Sequence, residues 1–316
     1  MTFLRTVATA GLAALLGAAM AAPGAAQQRI TIGTGGTGGL FYVVGAGMAE
    51  LINNHMEGAT ARAEVTGASV ENIRRVAAEQ MHFGFSSSST LYEASVGEGP
   101  FEEALPVAAM AYLYPAVLQI ATTADAGIAT IEDLAGKRIN LGPPGSNSAV
   151  LAQRLLEAYG VFDQNQAQFL SYSEGTNALL NGTVDVVVVL AGAPTAALID
   201  LAAQRDMRLV PIEEDRVAGL VEEFPFYQVY EIPAGTYEGQ AEPVMVINDP
   251  AALFAHAEAD EELIYNITRT IFDNLGELGE VHPQAKAIAV ETGPTTPIDL
   301  HPGAKRYFDE KGVDTA

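Results

Sequence analysis

Apolar and polar positions along this chain switch repeatedly between a period of two and a period near 3.6. Residues 29–33 alternate in the manner of a strand. Beyond the glycine-rich stretch Gly33-Thr34-Gly35-Gly36-Thr37-Gly38-Gly39, the set Leu40, Val43, Val44, Gly47, Met48, Leu51 and Ile52 recurs at helical spacing and predicts a helix over 40–55. A strand over 61–66 and a helix over 70–80 follow, with Ser69 as the expected N-cap. A third strand near 82–85 leads through Ser86, Ser87, Ser88 and Ser89 into another helix. Such alternation argues for a parallel α/β sheet.

The pattern then restarts. Residues 111–122 read as one long extended segment, 130–136 as a short helix, and 137–141 as a strand entering Gly142-Pro143-Pro144-Gly145-Ser146-Asn147-Ser148 and a helix that ends at Tyr159-Gly160. A strand over 169–172, a helix over 174–181, a buried strand over 184–190 and a helix over 194–205 complete a second α/β unit. Proline-punctuated residues 224–249 suit a return crossing to the first unit, followed by a helix over 261–274. The expected organisation is therefore a signal segment over 1–26, lobe I from 27–117 plus 225–316, and lobe II over 118–224. Extended crossings would join the lobes as a hinged clamshell with its ligand in the cleft, where strand carboxyl ends face each other.

The first residues change the compartment. Arg5, an apolar run over 7–22 and small residues at Ala21 and Ala26 have the form of a cleavable secretory signal, so the mature protein is expected in the periplasm with no membrane insertion of its own. Zero cysteines exclude disulfides, thiolate chemistry and a lipoprotein tether. A net charge of −23, one unit more negative once Arg5 is removed, excludes nucleic acid as a partner.

Candidate chemistry is correspondingly mild. Gly33 to Gly38 satisfies a dinucleotide-binding pattern in form, but no acidic residue stands where a ribose would need one, and no cofactor is expected. What remains is the physics of glycine and helix starts: free amides at the helix start around Gly38, Gly39 and Leu40 favour an anion. Ser146, Asn147 and Ser148 offer the same device on lobe II, and Ser69, Ser87 and Ser88 stand at equivalent helix starts. Tyr42 is a candidate wall of the cleft. The five histidines have no paired spacing, so no metal site is expected, and no catalytic set emerges. His301 reads as a hydrogen-bonding residue at a turn.

Several motifs in order carry a family resemblance: ITIGTGGTGGLFYVVG from residue 30, TGASVENIR from 66, DLAGKRINLGPPGSNS from 133, YSEGTNALLNGTVDVVVVLAGAP from 172, EIPAGTYEGQ from 231 and IDLHPGAKRYFDEKG from 298. Together they resemble the TAXI family of solute-binding proteins from tripartite ATP-independent periplasmic (TRAP) transporters. The resemblance implies a type II periplasmic-binding-protein fold, permease subunits in the membrane as partners, and a small anionic metabolite such as glutamate, glutamine or 2-oxoglutarate. It places ligand contacts at Gly36, Thr37, Gly38, Tyr42, Ser69, Ser87, Ser88, Ser146, Asn147, Ser148 and Gly192. Ser87-Ser88-Ser89 and Gly145-Ser146-Asn147-Ser148 depart from the family pattern at expected contacts. Competing readings are a secreted α/β hydrolase or dehydrogenase, and a sensor built on the same clamshell.

Overall fold

The computed structural model describes residues 28–224 and 226–315. The expected signal segment lies outside them. Among the described residues, no helix is long and apolar enough to cross a membrane.

The chain begins with β1 (Gln28–Gly33), α1 (Leu40–His55), β2 (Ala59–Glu64), α2 (Ser69–Ala77), β3 (Phe83–Ser87), α3 (Ser88–Val96) and β4 (Val107–Tyr114). Ile30 and Ile32 point inward from β1 by strand alternation, and Val44, Met48 and Ile52 meet them from one stripe of α1, all essentially inaccessible to solvent. Each such side chain contributes roughly 1.5–3 kcal/mol on burial.

The segment expected as one extended run breaks at Pro115-Ala116 into β4 and β5 (Val117–Thr123), which belong to different sheets. This is the first crossing. Lobe II continues with β6 (Arg138–Asn140), α4 (Asn147–Ala158), β7 (Gln166–Gln168), α5 (Tyr172–Leu180), β8 (Val186–Ala191), α6 (Ala196–Gln204), β9 (Met207–Leu209) and α7 (Glu214–Glu223). All six residues of β8 are buried, as befits a strand held between two others. The helix expected over 130–136 is a single 3-10 turn, Glu132–Leu134. The strand expected over 169–172 falls instead at β7. There Ser171 and Glu174 form a reciprocal capping box, which starts a helix at Tyr172.

Residues 226–248 do not return to lobe I as expected. β10 (Gln228–Ile232) and β11 (Val244–Asn248) form an antiparallel pair on the second sheet, with Asn248 opposite Val117 of β5. The cause is hydrophobic: Tyr227 and Ile247 are buried in the core that also holds Leu151, Leu155, Val186 and Val188. The second crossing is therefore at Asp249, whose N–H donates to the Ala116 carbonyl at 2.8 Å and so ties the two crossings together.

β12 (Ala251–His256) then enters the first sheet between β3 and β4, antiparallel to both. The two sheets read β2-β1-β3-β12-β4 and β10-β11-β5-β8-β6-β7, with β9 also paired to β5. Helices α8 (Glu261–Phe272), α9 (Leu275–Leu278) and α10 (Pro302–Glu310) cover lobe I, with Phe272 and Phe308 packed edge to face at 5.1 Å. His301 caps α10, its Nδ1 accepting from the Gly303 N–H at 3.2 Å.

Candidate functional site

The strands β1, β2 and β3 of lobe I, and β6 of lobe II, all end at the seam between the lobes, and the loops after them start α1, α2, α3 and α4. Between these starts lies a small cavity of about 20 Å³, as befits a cleft that is shut. Lobe I contributes Gly35, Gly36 and the first turn of α1, together with Ser69 and Ser87. Lobe II contributes Ser146, Asn147 and Ser148, with Tyr172 and the end of β8.

Two helices present uncapped first turns here. Gly39, the N-cap of α1, has no side chain, and Ser146, the N-cap of α4, spends its hydroxyl on the Pro143 carbonyl at 2.6 Å. First-turn N–H groups lack intrahelical partners and carry the positive end of the helix dipole, so both starts favour negative charge. A glycine is required at 142, where φ is +97° and a Cβ would run into Ser148 Oγ.

The hydroxyls are committed. Ser148 donates to the Leu141 carbonyl at 2.5 Å, and Ser69 Oγ accepts the Ser87 N–H at 3.0 Å. Tyr172 is the one ionisable side chain lining the cavity among the described residues; its hydroxyl donates to the Leu190 carbonyl at 3.0 Å, and burial pushes its pKa up to about 12. None of these groups is aligned as a nucleophile beside a base. Asn147 is different. Its Nδ2 donates to Ser89 Oγ at 3.1 Å and to Asp249 Oδ2 at 2.6 Å, while its Oδ1 is buried without a partner. A buried acceptor left unpaired costs free energy, so a donor belongs there.

The lobes are closed on one another. The N–H groups of Val70 and Glu71, at the start of α2, donate to the Gly145 carbonyl across the cleft at 3.0 and 3.2 Å. Gly67 lets this happen, since a Cβ there would collide with the Pro144 carbonyl oxygen. Behind the cavity, Arg154 of α4 donates to buried Glu93 of α3 at 2.5 Å and to the Tyr227 hydroxyl at 2.7 Å.

Of the residues expected as contacts, Gly36, Ser69, Ser87, Ser146, Asn147 and Ser148 line the cavity. Thr37 is exposed to solvent, and Tyr42 is half-buried on α1 outside the lining. Gly38 packs against Ser173 and Ala197 of lobe II, and Gly192 against Leu40 and Gln284, so both serve the approach of the lobes rather than the cavity wall. The Ser88 N–H is taken by the Pro250 carbonyl at 2.8 Å. Ser69 is not an N-cap; it is the first residue of α2, after Ala68 at a φ of 74°. Tyr172 was not foreseen as a contact, although the Ser171-x-x-Glu174 spacing signals a helix start beside it. Asp249 was missed as well.

The pattern of the NMT1-like family matches residues 32–312. The chain belongs to the NMT1-like family. Among solved structures, this NMT1-like protein is similar to one from work on glutathione import in Gram-positive bacteria via GshT and the cystine ABC importer TcyBC of Streptococcus mutans. The TM-score is 0.52 at 10% identity, over 83% of this chain and 97% of that one. It is also similar to a putative L-cystine ABC transporter protein from Listeria monocytogenes, with a TM-score of 0.50 at 13% identity over 84% and 98% of the two chains. A histidine kinase sensor domain with similarity to periplasmic binding proteins gives 0.51 at 12% identity, again over 84% and 98%. These likenesses establish the two-lobed α/β fold of periplasmic binding proteins for the NMT1-like chain, as the sequence led one to expect.

Proposed function

We propose that this protein is a periplasmic solute-binding receptor that captures a small carboxylate between its lobes and delivers it, unchanged, to the permease of a TRAP-type transporter. The observation that carries the reading is the interlobe cavity itself: helix starts from both lobes converge on it, and among the described residues no Lys, Arg, His, Asp or Glu lines it. Oriented amides hold an anion without a basic residue. The strongly acidic surface elsewhere makes a neutral, donor-rich pocket the favourable place for negative charge. The ordered TAXI motifs support the transporter class, and the structural neighbours described as ABC transporter proteins support a transport role for the fold.

Asn147 narrows the ligand. Its free Oδ1 accepts from an N–H or O–H, so a ligand bearing an amine or amide beside its carboxylate, such as glutamate or glutamine, satisfies it, whereas 2-oxoglutarate leaves it unpaired. A panel of L-glutamate, L-glutamine, 2-oxoglutarate, C4-dicarboxylates and alkanesulfonates in a thermal-shift screen tests this. At a hundred times Kd, mass action adds about 2.7 kcal/mol to stability, several degrees in Tm for a chain of this size. Stabilisation by alkanesulfonates alone, or by no member of the panel, would overturn the reading.

A further inference from the structure

Asp249 has no place in the cavity lining, yet it is completely buried at the point where the second crossing re-enters lobe I. One of its oxygens accepts the Ser89 N–H at 3.0 Å. The other accepts the Ser89 hydroxyl and, at 2.6 Å, the Asn147 amide. Ser89 belongs to the first turn of α3 in lobe I, and Asn147 is the first residue of α4 in lobe II. One carboxyl group at the hinge thus grips the ligand-facing helix of one lobe and a helix start of the other.

We propose that Asp249 is a positioning residue for ligand capture: with Ser89 and Asn147 it forms a latch that exists only when the lobes are closed, and its protonation sets the balance between closed and open forms. Opening separates α4 from α3, breaks the Asn147 bond and admits water to the carboxyl group. Closing reverses this and strips the group of water.

The charged neighbours are Glu93 on α3, Arg154 on α4 and the Tyr227 hydroxyl preceding β10. Glu93 opposes the charge on Asp249, and Arg154 is already engaged by Glu93 and Tyr227. Burial pushes the Asp249 pKa up to about 7 in the closed form, against bonds from Ser89 and Asn147 that favour the ionised group. In the hydrated open form it returns towards an ordinary carboxylate near 3.9. The closed form therefore binds the proton more tightly. Its advantage is complete below the open-form value and is lost as pH rises through about 7. The protonated acid keeps the latch, because the Ser89 hydroxyl can accept as well as donate.

The test needs no ligand, so its outcome is separate from the identity of the solute. The natural chain has no cysteine, which allows spin labels at V65C in lobe I and F169C in lobe II, both exposed positions. Pulsed electron-spin distances on the unliganded protein should show the ratio of closed to open forms falling roughly thirtyfold between pH 5.5 and 8.5. In Asp249→Asn, which cannot ionise, the dependence on pH should vanish. In Asn147→Ala the closed share should fall at both pH values. Wild-type distances that do not change with pH, or a D249N variant that keeps the full dependence, would overturn the proposal. The wild-type comparison stands even if a variant fails to fold.

Discussion

The two sides of the interlobe seam are built from opposite materials. On the cavity side, glycines, hydroxyls and helix starts meet with no charged side chain among the lining residues. On the hinge side, Glu93, Arg154 and Asp249 are packed between α3, α4 and the second crossing, with Phe224 stacked 4.3 Å from the Arg154 guanidinium. The contrast separates two tasks. Neutral donors can receive a charged solute without a resident counter-ion to displace, whereas buried charge makes the closed arrangement sensitive to loss of any partner.

The sharpest break in that contrast is Arg154→Ala. It strands Glu93 in a buried position and should cost about 3–5 kcal/mol in chemical denaturation, since an uncompensated buried charge is expensive. The double variant Glu93→Leu with Arg154→Met should recover most of the loss. A cost typical of a surface pair would erase the distinction between the two sides.

Gly67→Val should come next. Its side chain pushes against the Pro144 carbonyl and opposes closure, at roughly 1–3 kcal/mol, so solute affinity measured by calorimetry should fall about five- to hundredfold while the melting temperature of the unliganded protein changes little. Tyr172→Phe removes the bond to Leu190 and should lower stability by about 1 kcal/mol, with a smaller effect on affinity because the hydroxyl is already spent on the backbone. The smallest effect concerns His301. Burial holds its pKa below the usual imidazole value, so its contribution is present above pH 6.5 and is lost as pH falls towards the depressed value. Melting curves from pH 7.5 down to 5 should show a decline that is reduced in His301→Asn, which can still cap α10.

The strength of local signals explains what was legible in the chain. The stripe from Leu40 to Ile52 gave α1 at its observed ends, because an amphipathic helix is written in its own spacing. Serines after strands gave Ser69, Ser87, Ser146 and Ser148 of the cavity wall for a similar reason: a strand end followed by a helix start is a local event. Residues whose role depends on the other lobe were not legible. Gly38 and Gly192 have the character of ligand-approach glycines but face packed side chains instead. The hairpin of β10 and β11 reads as a crossing because its prolines mimic a linker, and only the burial of Tyr227 and Ile247 reveals its sheet. Asp249 looked like one acid among 39 acidic residues. Its burial is a property of two crossings meeting, which no window of sequence contains.

Calorimetric titration of the purified protein with L-glutamate, L-glutamine and 2-oxoglutarate, with the solute recovered afterwards for mass analysis, tests the central claim most directly. The expected result is one-to-one binding of a small carboxylate, tighter when it carries an amine or amide, and recovery of that solute unchanged. Failure of all three to bind, or conversion of the solute to a product, would contradict it.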